Sequence, residues 1–209
     1  MIQVKKFTFN PFMENTFILW DDTKECIIID PGCFDDNEKN EISSYIKNNE
    51  LKPVRLLNTH CHLDHVLGNK FIAQKYDLEL ELNEKEYPLL QQVPQQAQMF
   101  GVSGVEEFTE AKPSLKEGEM LKFGDSQLEM LFVPGHSPGH IVLYSKEQGF
   151  IIGGDVLFQG GIGRTDLPGG NHDQLIKNIK EKIFPLGDDI IGPETNIGFE
   201  KGNNPFLSC

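Results

Sequence analysis

Seven residues, Thr59-His60-Cys61-His62-Leu63-Asp64-His65, constrain this chain more than any other stretch. They gather three of the six histidines and a carboxylate into six consecutive positions, His60 to His65. An apolar run, Val54 to Leu57, precedes them and reads as a buried strand. Val66-Leu67-Gly68-Asn69 follows and reads as the entry to a helix. The cluster therefore belongs on a strand-to-helix loop. Side chains two apart near a strand end point the same way, so His60 and His62 can reach one metal ion while Cys61 is directed elsewhere. Asp64 and His65 lie further round the turn, where they can hold a second ion. Imidazole with carboxylate suits zinc, iron(II) or manganese. A solvated histidine-rich loop is the plainer alternative, but it leaves unexplained why half the histidines converge here.

The chain has 209 residues and a formal charge of -13. That length fits a single domain, 1–209. No run approaches the roughly 18 apolar residues of a membrane helix, so no membrane partner is expected. Met1 to Phe9 lacks the apolar core and cleavage site of a signal peptide. Cys26, Cys33, Cys61 and Cys209 show neither zinc nor redox spacing, so a reducing cytoplasm is the expected location. The acidic balance argues against nucleic acid, which needs a basic footprint. A small-molecule substrate remains. The sequence leaves the oligomeric state open.

Strand patterns cover Ile2 to Phe9, Phe17 to Trp20 and Glu25 to Ile29, with Asp21-Asp22-Thr23-Lys24 as a hairpin turn. Asp30-Pro31-Gly32 stops the third strand. A helix capped by Asp36 or Asn37 is expected through about Asn49, a further one over Lys70 to Tyr76, and a short strand over Leu78 to Leu82. Tyr87 to Lys112, with Pro88 and Pro94, reads either as a broken helix and mobile cover or as a disordered loop. Hairpins are expected around Gly124-Asp125 and Gln148-Gly149, a Gly-rich loop over Gly154 to Gly170, a helix from His172 to about Phe184, and a last strand over Asp188 to Ile191. Strands and helices at this spacing make a layered α/β protein, with two sheets packed between helices.

Two more polar residues stand just past apolar strands and beside glycines. They are His136 in Pro134-Gly135-His136 and Asp155 in Gly153-Gly154-Asp155. Glycines there let a ligand approach closely. Each alone reads at least as well as a turn residue; their weight comes from combination with the first cluster.

His60-x-His62-x-Asp64-His65, then Pro-Gly-His136, then Gly-Asp155 resembles the metallo-β-lactamase-fold hydrolases, over nearly the whole chain from about Thr8. Asp30-Pro31-Gly32 resembles the turn that follows the family's first hairpin. Gly163-Arg164-Thr165-Asp166 and Asn204-Pro205-Phe206-Leu207 resemble the small bacterial glyoxalase II-like proteins. The resemblance implies a four-layer αββα sandwich and two divalent metal ions, zinc first, with iron or manganese as alternatives. It implies that His60, His62 and His136 bind the first ion, that Asp64 and His65 bind the second, and that Asp155 bridges both. The implied reaction is attack of a metal-bound hydroxide on a thioester or ester carbonyl, with a glutathione thioester as one candidate substrate. Asp64 then both holds metal and guides a proton. Arg164 and His172 are the weaker candidates for substrate contact, His140 for support of the His136 turn, and Cys61 for packing.

Other readings compete. A persulfide dioxygenase would use one iron on His60, His136 and Asp155. A metal-stabilised binding domain would hold metal without turnover. A lactonase also fits the ligand set, and a nuclease is disfavoured by charge. One feature departs from the pattern. The family's site closes on a strand, then Gly-His-Gly-Pro, whose histidine is the remaining ligand of the second metal. Here the run is Ile190-Ile191-Gly192-Pro193-Glu194-Thr195, and no histidine follows His172. Either the second site is depleted, held by Asp64, His65 and Asp155, or residues are missing between Ile191 and Gly192.

Overall fold

A computed structural model describes residues 1–192 and 194–207. The sequence reads as one domain; the chain divides into two compact units. The first comprises Met1–Ser114 with Lys122–Ser126, and the second Leu115–Leu121 and the chain from Gln127.

The first unit is built on β1 (Gln3–Phe9), β2 (Glu14–Trp20), β3 (Glu25–Ile29), α1 (Asp36–Asn48) and β4 (Lys52–Leu57). There follow α2 (Leu63–Val66), α3 (Asn69–Tyr76), β5 (Leu80–Leu82), α4 (Tyr87–Gln91), α5 (Val93–Phe100) and β6 (Ala111–Pro113). Its sheet runs β1-β2-β3-β4-β5-β6. β1 to β3 are antiparallel, and β3 to β6 are parallel. Parallel strands are covered on both faces, which is why β3 is an unbroken apolar run rather than an alternating one. Ile18, Ile28, Ile42, Leu56, Ile72 and Leu80 fill the core beside it. α1 starts at a capping box: Asp35 accepts from the Glu38 backbone while Glu38 reaches back to the Asp35 N–H. Glu38 also accepts from Asn10 N–H at 2.6 Å, which ties the β1–β2 turn to that helix end.

A second sheet has the order β10-β9-β8-β7, from β7 (Met120–Phe123), β8 (Ser126–Phe132), β9 (Ile141–Ser145) and β10 (Phe150–Ile152). Beyond it come the two-residue strands β11 (Leu157–Phe158) and β12 (Gly161–Ile162), then α6 (His172–Asn178) and α7 (Ile197–Asn203). Val133, Val142, Ile151, Leu175, Ile179 and Ile183 belong to this unit's own core.

Several boundaries differ from those the sequence predicts. The broken helix expected in Tyr87 to Lys112 is present over its first part, which is not a disordered loop. It forms α4 and α5, with Pro88 and Pro94 in their first turns, where a missing N–H costs nothing. The Gly-rich loop contains β11 and β12. The helix from His172 is α-helical only to Asn178 and then widens into a π turn over Ile179–Ile183. Asp188 to Ile191 is not a strand; Ile191 alone bridges Phe150 and Asn196. Gly192 N–H donates to Thr195 O at 2.8 Å. α7, capped by Asn196, has no counterpart among the expected elements because its pattern is short and contains two glycines.

Cys26, Cys33 and Cys61 are buried free thiols, and Cys209 lies outside the described residues. Burial pushes the Cys26 and Cys33 thiols up to about 12. Among the described residues, no helix is long and apolar enough to cross a membrane.

Candidate metal centre

In the first unit, the histidine loop leaves β4 and turns into α2, with His62 at the helix N-cap. His60, His62 and His65 are all buried. The ring centroids of His60 and His65 lie 4.1 Å apart, and those of His60 and His62 4.9 Å apart. One ligand atom each from Asp30, His60 and His65 falls within 4.8 Å of the others.

Asp30 organises this loop. It caps β3 in the left-handed region, φ 51°, which a short polar side chain tolerates better than a branched one. Its carboxylate accepts from Thr59 N–H at 2.6 Å and from Thr59 Oγ1 at 2.5 Å. Having donated to Asp30, the Thr59 hydroxyl is left to accept from His60 Nδ1 at 3.1 Å. His65 Nδ1 lies 3.2 Å from the same carboxylate. One buried aspartate thus orients the Nδ1 edge of His60 through Thr59 and lies beside that of His65. On its other side, His65 directs Nε2 to Asp64, 3.6 Å away.

The loop backbone is clamped as well. Asn10 Nδ2 donates to Asp64 O and Gly32 O, both at 3.0 Å. Asn58 Nδ2 donates to His65 O at 3.0 Å. Glu86, fully buried, accepts from Cys61 N–H at 2.8 Å. Gln96 accepts from Leu63 N–H at 2.9 Å and donates to Cys61 O at 3.2 Å. Glu14 lies 3.8 Å from His65 Nδ1. Burial pushes its carboxyl well above the usual range, against the pull of His65. Cys61 is fully buried and its thiol is pushed up by burial, as a packing role requires.

In the second unit, His136 sits in the turn after β8 and Asp155 in the turn after β10. His136 Nδ1 meets Arg164 O at 2.8 Å, and its Nε2 faces Asp155 Oδ2 at 3.6 Å. A carbonyl can only accept, so Nδ1 carries the proton. The turn is pressed onto α6. A Cβ on Gly135, whose φ is 136°, would come within 2.4 Å of Leu175 N. Asn178 Nδ2 fastens Pro134 O at 2.7 Å. The Arg164 side chain is paired bidentately with Asp166, at 2.7 and 2.8 Å, and is exposed. His172 opens α6 and is also exposed.

The donor set fits divalent metal. Ligand histidines characteristically give one ring nitrogen to a carboxylate or carbonyl and the other to the ion. His136 shows that arrangement, with a carbonyl behind the ring and a carboxylate in front. The residues that support the loop do not stand out in the sequence. Asn10, Glu14, Glu86 and Gln96 come from distant segments and carry no motif. Only Asp30 has a signal, as the breaker after a strand.

The family model of the Metallo-beta-lactamase superfamily matches residues 9–196. The chain belongs to that superfamily, has its mixed α/β fold, and is a metallo-hydrolase. Among its relatives is the hydroxyacylglutathione hydrolase GloC of Haemophilus influenzae, 42% identical over 203 residues and 94% of each chain. Among solved structures, the BLEG-1 B3 metallo-beta-lactamase has a TM-score of 0.87 at 32% identity, covering 99% of this chain and 100% of that one. TTHA1623 in a di-iron-bound form has a TM-score of 0.84 at 31% identity, covering 97% and 100%.

Proposed function

We propose that this metallo-hydrolase cleaves a thioester of the acylglutathione type, or a related ester, with two divalent ions. Zinc is the first choice of metal. In this reading His60, His62 and His136 hold one ion, Asp64 and His65 hold the other, and Asp155 bridges them. The carrying observation is His136, whose Nδ1 is engaged by Arg164 O while its Nε2 faces the Asp155 carboxylate, together with the buried cluster of Asp30, His60 and His65, whose ligand atoms lie within 4.8 Å of one another. The relative named a hydroxyacylglutathione hydrolase supports the substrate class.

Bound ions would supply Lewis acidity, which lowers the pKa of water and polarises a carbonyl. The chain supplies the rest. Asp30, through Thr59, keeps the His60 ring from rotating, and its carboxylate lies 3.2 Å from His65 Nδ1. Asp64, whose side chain is 23% exposed, is reachable by water and would guide the proton that leaves the water as it ionises. Arg164 would meet a substrate carboxylate by giving up Asp166, and His172 would lie beside it. The turn at Ile191 and Gly192 brings no histidine, so the second ion has a smaller ligand set and is the weaker bound.

Turnover of S-lactoylglutathione by zinc-reconstituted protein tests this reading, with elemental analysis of the same sample. Zinc-dependent hydrolysis with fewer than two firmly held ions is expected. Hydrolysis no faster than in the metal-free control sinks the substrate class. A parallel arm with a β-lactam tests the chemistry named for the solved relative.

A further inference from the structure

Asp155 is an unusual residue to find well placed. It follows Gly153-Gly154, and Gly154 has a left-handed φ of 48°. Its side chain is 28% exposed, so packing around the carboxylate does not hold it. A glycine pair leaves the preceding peptide free to rotate, and a rotation there would swing the carboxylate away from His136. Two contacts oppose this. The Asp155 N–H donates to His140 Nε2 at 3.1 Å. The Asp155 carbonyl lies so close to Gly163 that a Cβ there would come within 1.9 Å of it.

A ring nitrogen that accepts a hydrogen bond carries no proton, so His140 is neutral with its proton on Nδ1. The ring is fully buried, and its own residue is pinned, because His140 O accepts from Val133 N–H at 2.8 Å. The residue therefore carries the position of the β8–β9 end across to the turn after β10.

We propose that His140 is a positioning residue. Its Nε2 lone pair holds the Asp155 backbone so that the carboxylate stands beside His136 Nε2 as a metal ligand. This rests on the reading of Asp155 as a ligand. It also explains why a second histidine stands four residues after His136 without entering the ligand set.

The test reads metal binding rather than turnover. His140→Phe keeps a ring of similar volume and removes the acceptor. His140→Gln keeps an acceptor. Each is loaded with cobalt(II), and affinity is measured by chelator competition alongside the visible spectrum. Removing a group that orients a metal ligand weakens metal binding about 10–100-fold. His140→Phe is therefore expected to bind cobalt weaker by that factor, with altered d–d bands. His140→Gln is expected to recover much of both. Wild-type affinity and spectrum in His140→Phe overturn the proposal. Should His140→Phe fail to fold, nitrogen-15 spectra of the wild-type histidines decide: Nδ1–H supports the proposal, Nε2–H overturns it. Asp155→Ala separates the underlying reading. If it retains full cobalt affinity, Asp155 is no ligand and the proposal falls with it. If it loses cobalt while His140→Phe does not, only the role of His140 falls. A protein that behaves as expected in cobalt binding but leaves thioesters intact refutes the substrate class alone.

Discussion

The two candidate ligand clusters, one in each unit, are built in opposite ways. In the first unit the candidate ligands are contiguous, His60 to His65, and side chains from elsewhere hold them: Asp30 from the end of β3, Glu86 from the turn before α4, Asn10 from the β1–β2 turn. In the second unit the candidate ligands lie far apart in sequence, and the support comes mainly from main chain and from the lack of side chains. Arg164 O holds His136, and Gly135 and Gly163 permit approaches that a Cβ would block. A contiguous cluster arrives together but needs its rings oriented one by one, which takes carboxylates. Dispersed ligands have their orientation set by the turns that carry them, which takes glycine.

The sharpest way to break this comparison is to remove a ligand from each half. His60→Ala and Asp155→Ala are both expected to lose turnover to the metal-free level and most bound metal, with the fold intact by circular dichroism. Retained metal and full activity in His60→Ala would refute the ligand placement.

Next in size is the support in the first half. Asp30→Ala strands the Thr59 N–H, the Thr59 hydroxyl and His65 Nδ1 in a buried space. A loss of about 3 kcal/mol in urea unfolding is expected, with a fall in metal content. An equal loss from a carboxylate outside the network would erase the special place given to Asp30.

The matching change in the second half is Gly135→Ala. It meets Leu175 N at 2.4 Å and imposes an L side chain at φ 136°. The expected cost is about 1–3 kcal/mol, the range for overpacking. Thermal melts with and without zinc would show whether the metal recovers the loss. A melt unchanged from wild type would mean the turn yields easily, and support by glycine would lose its force.

The smallest effect lies away from both halves and serves as a control. Arg55 forks onto Glu81 at 2.7 and 2.6 Å, and Ser114 joins it. Burial alone would raise the Glu81 carboxyl. The hydrogen bonds from Arg55 and Ser114, with the Arg55 charge, outweigh this and hold it below its usual 4.5. A carboxyl depressed in the folded state stabilises the fold above its unfolded value and loses that contribution as pH falls through the folded one. Arg55→Met should therefore cost about 1 kcal/mol near neutral pH, leave metal content unchanged, and converge on wild type as acid protonates Glu81. A stability gap that persists in strong acid would show that the lost packing of the Arg55 stem, not the ion pair, is responsible.

Much of this fold is legible in the order of its residues. His60 and His62 lie between a strand and a helix as their flanks require, whereas Asp64 and His65 fall inside the one-turn helix α2, which begins earlier than the sequence predicts. β1 to β4 and the core of α1 are readable because an apolar run and a turn specify their own geometry within a few residues. Tyr87 to Lys112 is legible only in part. The two prolines mark a broken helix, which α4 and α5 form, but the sequence could not separate it from a disordered loop, because only packing of Leu89, Leu90, Val93 and Ala97 into the core makes such short helices stable. The strand expected at Asp188 to Ile191 fails for a related reason. Its apolar residues suggest pairing, and the partners supply only the bridges at Ile191.

The sequence alone determined the candidate donor types, their order and the absence of a histidine after His172, because donor chemistry is a property of residue identity. Only the tertiary structure decided which nitrogen of His60, His65 and His136 meets an acceptor, and that Asp30, Glu86 and His140 supply the support. Those roles depend on hydrogen bonds a few ångströms long between segments up to dozens of residues apart, and no local pattern encodes such distances.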